Sequence, residues 1–125
     1  MKVIYISGPY RGATPFDVHR NILKAAEISI KVWEIGAVAL CPHLNTYLFE
    51  FYAKHIDNNT WINGDIELVK RCNAVLAIDG WEYSEGSQQE IDVAFEHRIP
   101  IFYTIEDLKK WLSSKLNGVI NNNDP

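Results

Sequence analysis

The sequence predicts an α/β fold: a doubly wound, mainly parallel sheet of four to five strands with helices on both faces. Short apolar runs of strand length alternate with longer segments of helical periodicity along the chain. Strands separated by helices need crossover connections, which give parallel pairing and a sheet covered on both sides. Turn residues such as Gly8-Pro9 and Asp79-Gly80 follow two of the apolar runs, as expected where buried strands end.

Four apolar runs have the length and composition of strands. The first, Val3-Ile4-Tyr5-Ile6, is β-branched and aromatic and ends at turn residues. The other three predicted strands are residues 37–41, 74–78 and 100–103. Their spacing leaves room for a helix in each connection.

Helical spacing and capping residues predict the helices between these runs. Thr14, Pro15 and Asp17 have the pattern of an N-cap, a first helical residue and a capping-box acid, and Thr104 with Asp107 repeats that spacing. The predicted helices are residues 15–36, a short helix within 44–56, 61–72 after a cap at 58–60, 84–97, and a last helix ending near 117–118.

The length and composition favour one domain. The chain has 125 residues, of which 47% are hydrophobic, enough for a single core. We expect one domain over residues 1–118 and a disordered tail over 119–125.

The charge pattern excludes several kinds of partner. The net charge of -4 is spread along the chain without a basic face, which disfavours nucleic acid polymers and anionic membranes. Cys41 and Cys72 lie in apolar stretches, so they are expected to be buried free thiols. No secretion signal or membrane-spanning run is seen, so the expected location is the cytoplasm.

The loop after the first strand is a candidate phosphate site. In doubly wound sheets, ligands bind outside the carboxyl ends of the strands. The loop residues Ser7, Gly8, Arg11 and Gly12 are therefore predicted to contact a substrate or its phosphate. The loop lacks the dinucleotide glycine pattern and the Walker lysine, so no nucleotide cofactor is expected. A guanidinium there can fork onto a phosphate, although a solvated arginine is the more common alternative.

A second candidate site opens the helix predicted at 84–97. Ser84, Gly86 and Ser87 are small, so the backbone N–H groups of the first turn are free to bind an anion. The alternative is that a serine simply caps the helix. Glu90 lies about one and a half turns further along and can reach a sugar whose phosphate rests at the helix tip.

Asp65 is unusual because it lies within an apolar helical stripe. Its neighbours on that stripe are Trp61, Leu68, Val69 and Cys72. A buried carboxylate is costly unless it has a partner or a function, and its pKa is expected to be raised. A salt bridge or a helix cap is the structural alternative.

Aromatic residues near the crevice are candidates for stacking on a base. Tyr10 and Trp81 lie in predicted loops at the carboxyl ends of strands, where covering a core edge is the usual alternative. The four histidines show no spacing typical of a metal site, so no metal is expected. No G-x-S-x-G elbow marks a serine nucleophile.

Together these motifs resemble the nucleoside 2-deoxyribosyltransferase superfamily. They are the first strand with Tyr5, the segment Gly8-Pro9-Tyr10-Arg11-Gly12, Asp65, and Ser84-x-Gly86-x-x-x-Glu90. Within the superfamily, the chain is most similar to the 2′-deoxynucleoside 5′-phosphate N-hydrolase branch and its uncharacterised bacterial and phage relatives. The resemblance covers roughly residues 1–102.

The resemblance implies a role for each motif residue. Glu90 would be the catalytic carboxylate, Asp65 the acid beside the departing base, and Tyr5 a helper that positions Glu90. Arg11, Ser84 and Gly86 would hold the 5′-phosphate. It also implies a Rossmann-like fold of flavodoxin type and a homodimer in which a neighbouring subunit closes each active site.

Three functions remain open at this level. The first is hydrolysis of the N-glycosidic bond of a (deoxy)nucleoside 5′-monophosphate, which uses Arg11 and the helix tip beside Glu90. The second is base exchange on free nucleosides, which shares Glu90 and Asp65 but gives Arg11 no role. The third is a nucleotide-binding module without turnover.

Overall fold

The structure is a computed structural model that describes residues 1–122, with only the backbone described at residues 50 and 115–122. Helices alternate with strands as the sequence predicts. No helix in this described part of the chain is long and apolar enough to cross a membrane.

One parallel sheet forms the centre of the fold. Its strands are β1 (Val3–Ser7), β2 (Val38–Leu40), β3 (Ala74–Ala77) and β4 (Ile101–Phe102). They lie in the order β2-β1-β3-β4, and every neighbouring pair is parallel. This is the order of the first four strands of a flavodoxin-type sheet. The predicted fold class is confirmed, with the lower of the two expected strand numbers among the described residues.

Six helices and one 3-10 turn connect and follow the strands in the described range. The helices are α1 (Pro15–Glu34), α2 (Pro42–Asn45), α3 (Phe49–Tyr52), α4 (Asn58–Arg71), α5 (Glu85–Glu96) and α6 (Ile105–Asn122). The 3-10 turn, Trp81–Tyr83, lies between β3 and α5.

Side-chain caps fix where three helices begin. The capping box of α1 is complete, because Thr14 accepts from the backbone of Asp17 and the Asp17 carboxylate accepts from the backbone of Thr14. Ser84 caps α5 by accepting from the N–H of Ser87, 3.2 Å away. Thr104 accepts from the N–H of Asp107 at the start of α6. These starts were predictable from residue type and spacing.

Strand alternation divides the core into two halves. Ile4 and Ile6 of β1 face a cluster that includes residues of α1 and α6, whereas Tyr5 packs with residues of α4 and α5 on the opposite face of the sheet. All three side chains are fully buried. Helices therefore cover both faces, α1 and α6 on one and α4 and α5 on the other.

Three predicted boundaries were wrong. The stretch predicted as one helix within 44–56 forms two single-turn helices, α2 and α3, because Pro42 starts the first and most of its large apolar side chains stay exposed rather than forming one buried face. Helix α4 is capped by Asp57, so residues 58–60 are already helical. Helix α6 continues past Gly118 to Asn122, since one glycine costs only about 1 kcal/mol in a helix interior.

The division of the chain into a domain over residues 1–118 and a tail over 119–125 stays a prediction. The start of the tail predicted over 119–125 overlaps the end of α6. Residues 123–125 lie outside the described residues.

The loops after β1 and β3 meet closely at the carboxyl edge of the sheet. A Cβ atom on Gly8 would lie 2.3 Å from Cγ1 of Ile78, so only glycine fits without movement. Gly80 has φ +92°, and a Cβ there would lie 2.8 Å from Cγ of Pro9. This contact lies where strand order reverses, which is where doubly wound sheets bind their ligands.

We predict that Gly8→Ala lowers the free energy of unfolding by about 1–3 kcal/mol, because the new methyl group overlaps Ile78. Gly64→Ala is the matched control: it lies inside α4, a Cβ there meets nothing within 4 Å, and it should stabilise by about 0.5–1 kcal/mol. Urea unfolding of both variants measures the difference. Equal effects at the two positions would contradict the close approach.

Candidate active site

A cavity of about 610 Å³ opens at the carboxyl edge of the sheet. Its walls are the loop after β1, the start of α2, one face of α4, and the 3-10 turn with the first two turns of α5. Both Asp65 and Glu90 line it. Volumes of this order are typical of small-molecule sites.

Glu90 is held from two sides by hydroxyl groups of β1. The Tyr5 hydroxyl donates to Oε2 at 2.5 Å, and the Ser7 hydroxyl donates to Oε1 at 2.7 Å. Tyr5 and Ser7 are two positions apart on one strand and therefore face the same side of the sheet, toward α5. Both donors are fully buried. The carboxylate is thereby fixed in one orientation at the cavity wall.

Burial dominates the electrostatics of Glu90. It raises the pKa to about 7, although the hydrogen bonds from Tyr5 and Ser7 act to lower it, and the nearby charge of Asp65 raises it further. Arg11 does not offset this shift, because it donates to Asn58, and the loss of water around Glu90 outweighs the effect of the two hydroxyl donors.

Asp65 faces the same cavity from α4. Burial raises its pKa to about 6, in the direction that its apolar stripe predicts. No salt bridge from Asp65 to a described lysine, arginine or histidine is present, so the structural alternative of an ion pair finds no support. The site therefore contains two carboxyl groups that change protonation near neutral pH.

Tyr5 remains a hydrogen-bond donor over the whole physiological range. Burial, and secondarily the charge of Glu90, raise the pKa of its hydroxyl far above the usual value. A neutral phenol can donate to Glu90 but cannot become its base. The position of Tyr5 thus fits a group that orients the carboxylate.

The first turn of α5 has features of an anion site. The Ser84 side chain caps the helix, as the alternative interpretation proposed. Ser87 is buried and lines the cavity, and its Oγ has no hydrogen-bond partner among the described residues. A Cβ on Gly86 would meet only Ser84 Oγ, at 3.9 Å, so the backbone is accessible there. Glu85 also lines this end of the cavity and would oppose an anion.

Arg11 lines the cavity. Its Nη2 donates to Oδ1 of Asn58 at 2.7 Å, which joins the loop after β1 to the start of α4. The guanidinium forms no salt bridge with a carboxylate of the described residues. The positive charge of Arg11 therefore has no carboxylate partner among the described residues. Arg11 and Asn58 both line the cavity, so this charge is available to a bound anion.

Two residues predicted to contact the substrate have structural positions instead. Ser7 is fully buried and its hydroxyl donates to Glu90, so it orients the carboxylate. Gly12 is outside the cavity lining, and a Cβ there would lie 2.4 Å from Cβ of Asp17. Glycine at this position allows the loop to pack against the capping box of α1. Gly8, by contrast, lies in the cavity lining.

The two predicted stacking residues have different positions. Tyr10 lines the cavity, with its ring 6.0 Å from that of His43. Trp81 is outside the lining, and its ring lies 5.2 Å from Tyr103. The structure does not bring Trp81 to the cavity, because its ring packs against that of Tyr103 instead.

His43 is a site residue that sequence reasoning missed. It is 4% exposed, and its Nε2 lies 2.9 Å from the carbonyl oxygen of Pro9, so it ties α2 to the loop after β1. Burial lowers its pKa, which keeps the ring neutral and able to donate from Nε2. Its signal in the sequence is its place directly after β2, at a strand end.

The face of α4 supplies the remaining wall. Asn58, Trp61 and Ile62 line the cavity at positions three to seven residues before Asp65. Phe49 lies behind Trp61, with ring centroids 6.2 Å apart. The helical spacing around Asp65 was the signal for this wall, although it was interpreted as a core stripe. Among the described residues, no group of three metal-ligating side chains is present.

The fold is similar to that of two 2-deoxyribosyltransferases of known structure. A 2-deoxyribosyltransferase from Bacillus psychrosaccharolyticus is similar in structure with a TM-score of 0.57 and 13% identity, over 79% of this chain and 69% of that one. A 2-deoxyribosyltransferase from Leishmania mexicana gives 0.57 and 20%, over 81% of this chain and 62% of that one. This chain thus spans less than two-thirds of the second protein.

The family is defined by the sequence itself. Residues 2–104 match the model of DUF7768, described as a domain of unknown function, and the chain belongs to that family. No curated protein matches the sequence significantly.

We predict that neighbouring groups shift the pKa of Glu90 in opposite directions. Asp65→Asn should lower it because a negative charge is removed, whereas Tyr5→Phe should raise it because a donor to the ionised form is lost. Asp92→Asn on the same helix, where the carboxylate is exposed, should leave it unchanged. Carboxyl carbon shifts followed by NMR against pH give these values.

The folded state binds the Glu90 proton more tightly than the unfolded chain does, so the free energy of unfolding should fall as pH rises from about 4.5 through about 7. Glu90→Gln should flatten that fall. A Glu90 that titrates near 4.5 in the folded protein would contradict the burial-driven shift.

Proposed function

We propose that this protein hydrolyses the N-glycosidic bond of a (deoxy)nucleoside 5′-monophosphate and releases the free base and the sugar phosphate. The observation that carries the proposal is the Glu90 carboxylate, fixed by two hydroxyls in a cavity that also contains Asp65. Two carboxyl groups that can divide the roles of nucleophile and acid are the usual equipment for cleaving a glycosidic bond with retention. This proposal coincides with the activity that the sequence resemblance implies.

In the first step, an oxygen of ionised Glu90 attacks C1′ of the sugar. The bond from C1′ to the base nitrogen breaks as the bond to Glu90 forms, and the base takes the proton of Asp65 as it leaves. Protonating the leaving group by a positioned acid typically accelerates such steps by about 10²–10⁴. The product of this step is a glycosyl ester on Glu90.

In the second step, water attacks C1′ and regenerates the enzyme. Asp65, now ionised, accepts a proton from the water as the bond between C1′ and Glu90 breaks. The sugar phosphate leaves with the new hydroxyl on C1′, and Asp65 is protonated again. Tyr5 and Ser7 stay bonded to Glu90 and stabilise the carboxylate each time it is released.

The reactive form of the pair carries one proton. The pKa is about 6 for Asp65 and about 7 for Glu90. Between pH 6 and pH 7 the two groups therefore hold about one proton between them. Glu90 holds the proton more tightly. A base bound against Asp65 would remove water from that half-buried carboxyl group and raise its pKa, which moves the proton to the acid.

A phosphate recognised by Arg11 and the first turn of α5 favours the monophosphate. Arg11 has no carboxylate partner among the described residues, and an orphaned buried hydroxyl such as that of Ser87 costs about 1–3 kcal/mol that a bound acceptor would recover. Both groups line the same cavity as Glu90.

Base exchange on free nucleosides is the second candidate. It uses the same glycosyl ester, but a second base replaces water as the acceptor. The structurally similar proteins from Bacillus psychrosaccharolyticus and Leishmania mexicana are named as 2-deoxyribosyltransferases, and this favours the transfer reaction. Arg11 would then have no role in catalysis.

We expect free base to be released from 5′-monophosphates and not from free nucleosides, and Glu90→Gln to lower kcat by at least about 10³, since the nucleophile is lost. The measurement is chromatography of bases released from ribo- and deoxyribonucleosides and their monophosphates, with and without a second base. Asp92→Asn is the matched control on the same helix, with an exposed carboxylate, and should keep full activity.

Exchange without phosphate dependence would instead establish the transferase. Tight nucleotide binding without any release, unchanged in Glu90→Gln, would establish a binding module and overturn both enzymatic proposals.

We predict that removing a positive charge from the cavity lowers kcat/KM for the monophosphate, whereas removing a negative charge raises it. Arg11→Gln should lower kcat/KM for the monophosphate by about 10- to 100-fold through the loss of a charged hydrogen bond to phosphate. Glu85→Gln should raise it, because a carboxylate is removed from the helix tip. Arg71→Gln, which breaks only the exposed pair with Glu67 on α4, is the control. Equal losses for monophosphates and free nucleosides in Arg11→Gln would contradict phosphate recognition.

A further inference from the structure

The outer face of α1 carries a line of exposed apolar side chains. Phe16, Leu23 and Ile30 recur every seven residues, and Trp33 follows three residues after Ile30. They are 66%, 50%, 60% and 55% exposed, respectively. The buried face of the same helix, which includes Ile22, Ala25, Ser29 and Val32, faces the sheet. We call the four exposed residues the outer stripe.

The spacing of the outer stripe is that of a helix-pairing seam. Positions seven apart form one row, and His19, Ala26 and Trp33 lie three residues after each member of that row. This alternation of three and four residues is the pattern by which two helices pack along their length. A 20-residue helix extends the pattern over about 30 Å. Single exposed apolar residues are ordinary, but a continuous row of this length marks an interaction surface.

The charges beside the outer stripe identify its partner. Arg20, Glu27 and Glu34 lie next to the row on the side away from Trp33, and Asp17, Lys24 and Lys31 lie further round the helix on that same side. Three acids balance three bases, which is unlike the cationic face that binds anionic lipid. The Arg20 guanidinium lies 5.0 Å from the centre of the Phe16 ring, which keeps its charge next to the row.

We propose that α1 pairs antiparallel with α1 of a second copy of this chain through the outer stripe. A twofold axis near the middle of the helix places Phe16 opposite Trp33 of the second copy, and Leu23 opposite Ala26. The same arrangement places Arg20 opposite Glu27 in both directions. Phe16, Leu23 and Trp33 thus meet apolar residues, Ile30 meets His19, and Arg20 and Glu27 each meet a residue of opposite charge.

The pairing forms a weak dimer. Large side chains bury about 150–250 Å² each, so four that are half to two-thirds exposed present on the order of 400 Å² per copy. A stable interface takes about 800 Å² per partner, so the outer stripe supplies about half of that area. Dissociation in the micromolar range follows from a contact of this size with few central anchors.

The α1 dimer leaves both cavities open. Helices α4 and α5, which carry Asp65 and Glu90, lie on the face of the sheet opposite α1. It therefore differs from a dimer in which a neighbouring subunit closes each active site. It also stands independently of the proposed activity, because none of its residues lines the cavity.

Sedimentation equilibrium of the full chain from about 1 to about 200 µM tests the pairing. The wild type should show a concentration-dependent dimer, and Leu23→Glu should weaken it at least 10-fold. Arg20→Glu and Glu27→Arg should each weaken it, and the double variant should restore it, because the antiparallel pair regains opposite charges. Circular dichroism and thermal unfolding confirm that these surface variants are folded.

The control variants are Phe51→Glu and Phe95→Glu, which change exposed apolar residues on α3 and α5 and should leave the dimer intact. A monomer at every concentration would overturn the proposal, as would a dimer lost in either control and kept in Leu23→Glu. Failure of the double charge exchange to restore association would overturn the antiparallel arrangement. Binding of the wild type to vesicles of anionic phospholipid, lost in Leu23→Glu, would assign the stripe to a membrane surface instead.

Discussion

The partly buried Glu90 carboxylate is the constraint on which the site depends. A carboxylate removed from water is unfavourable unless donors replace the lost hydration, and Tyr5 and Ser7 of β1 supply them. Because both donors are on β1, one of the two central strands, the carboxylate is tied to the centre of the sheet. The hydroxyls reduce the cost of burial without removing it, since the pKa stays raised.

This constraint also fixes where α5 begins. Ser84 caps the helix, and Glu90 follows at a distance that turns it toward β1. A start one residue earlier or later would rotate the carboxylate by about 100° and separate it from both hydroxyls. The Gly8 contact with Ile78 has a similar effect at the other wall, because it holds the loop after β1 against the loop after β3. The start of α5 and the contact between the loops after β1 and β3 thus set how far apart the walls of the cavity lie.

Local signals in the sequence were sufficient for the strands and for the starts of three helices, but not for side-chain partners. The strands and the caps at Thr14, Ser84 and Thr104 depend on neighbouring residues and were predictable. The bond from Ser7 to Glu90 joins residues 83 positions apart, so no local pattern contains it. Trp81 was misplaced for the same reason: the sequence shows an aromatic in a loop, whereas Tyr103, which covers it, comes from beyond β4.

The alternation of β1 explains how one strand serves both stability and the site. Ile4 and Ile6 face the core half that contains α1, while Tyr5 and Ser7 face α4 and α5. Polar side chains on the face toward α4 and α5 can therefore act on Glu90 without disturbing the packing of the core half that contains α1. Residues of the outer stripe can likewise change without affecting the cavity, because the sheet lies between them. A change in self-association and a change in substrate use can thus occur on opposite faces without sharing a side chain.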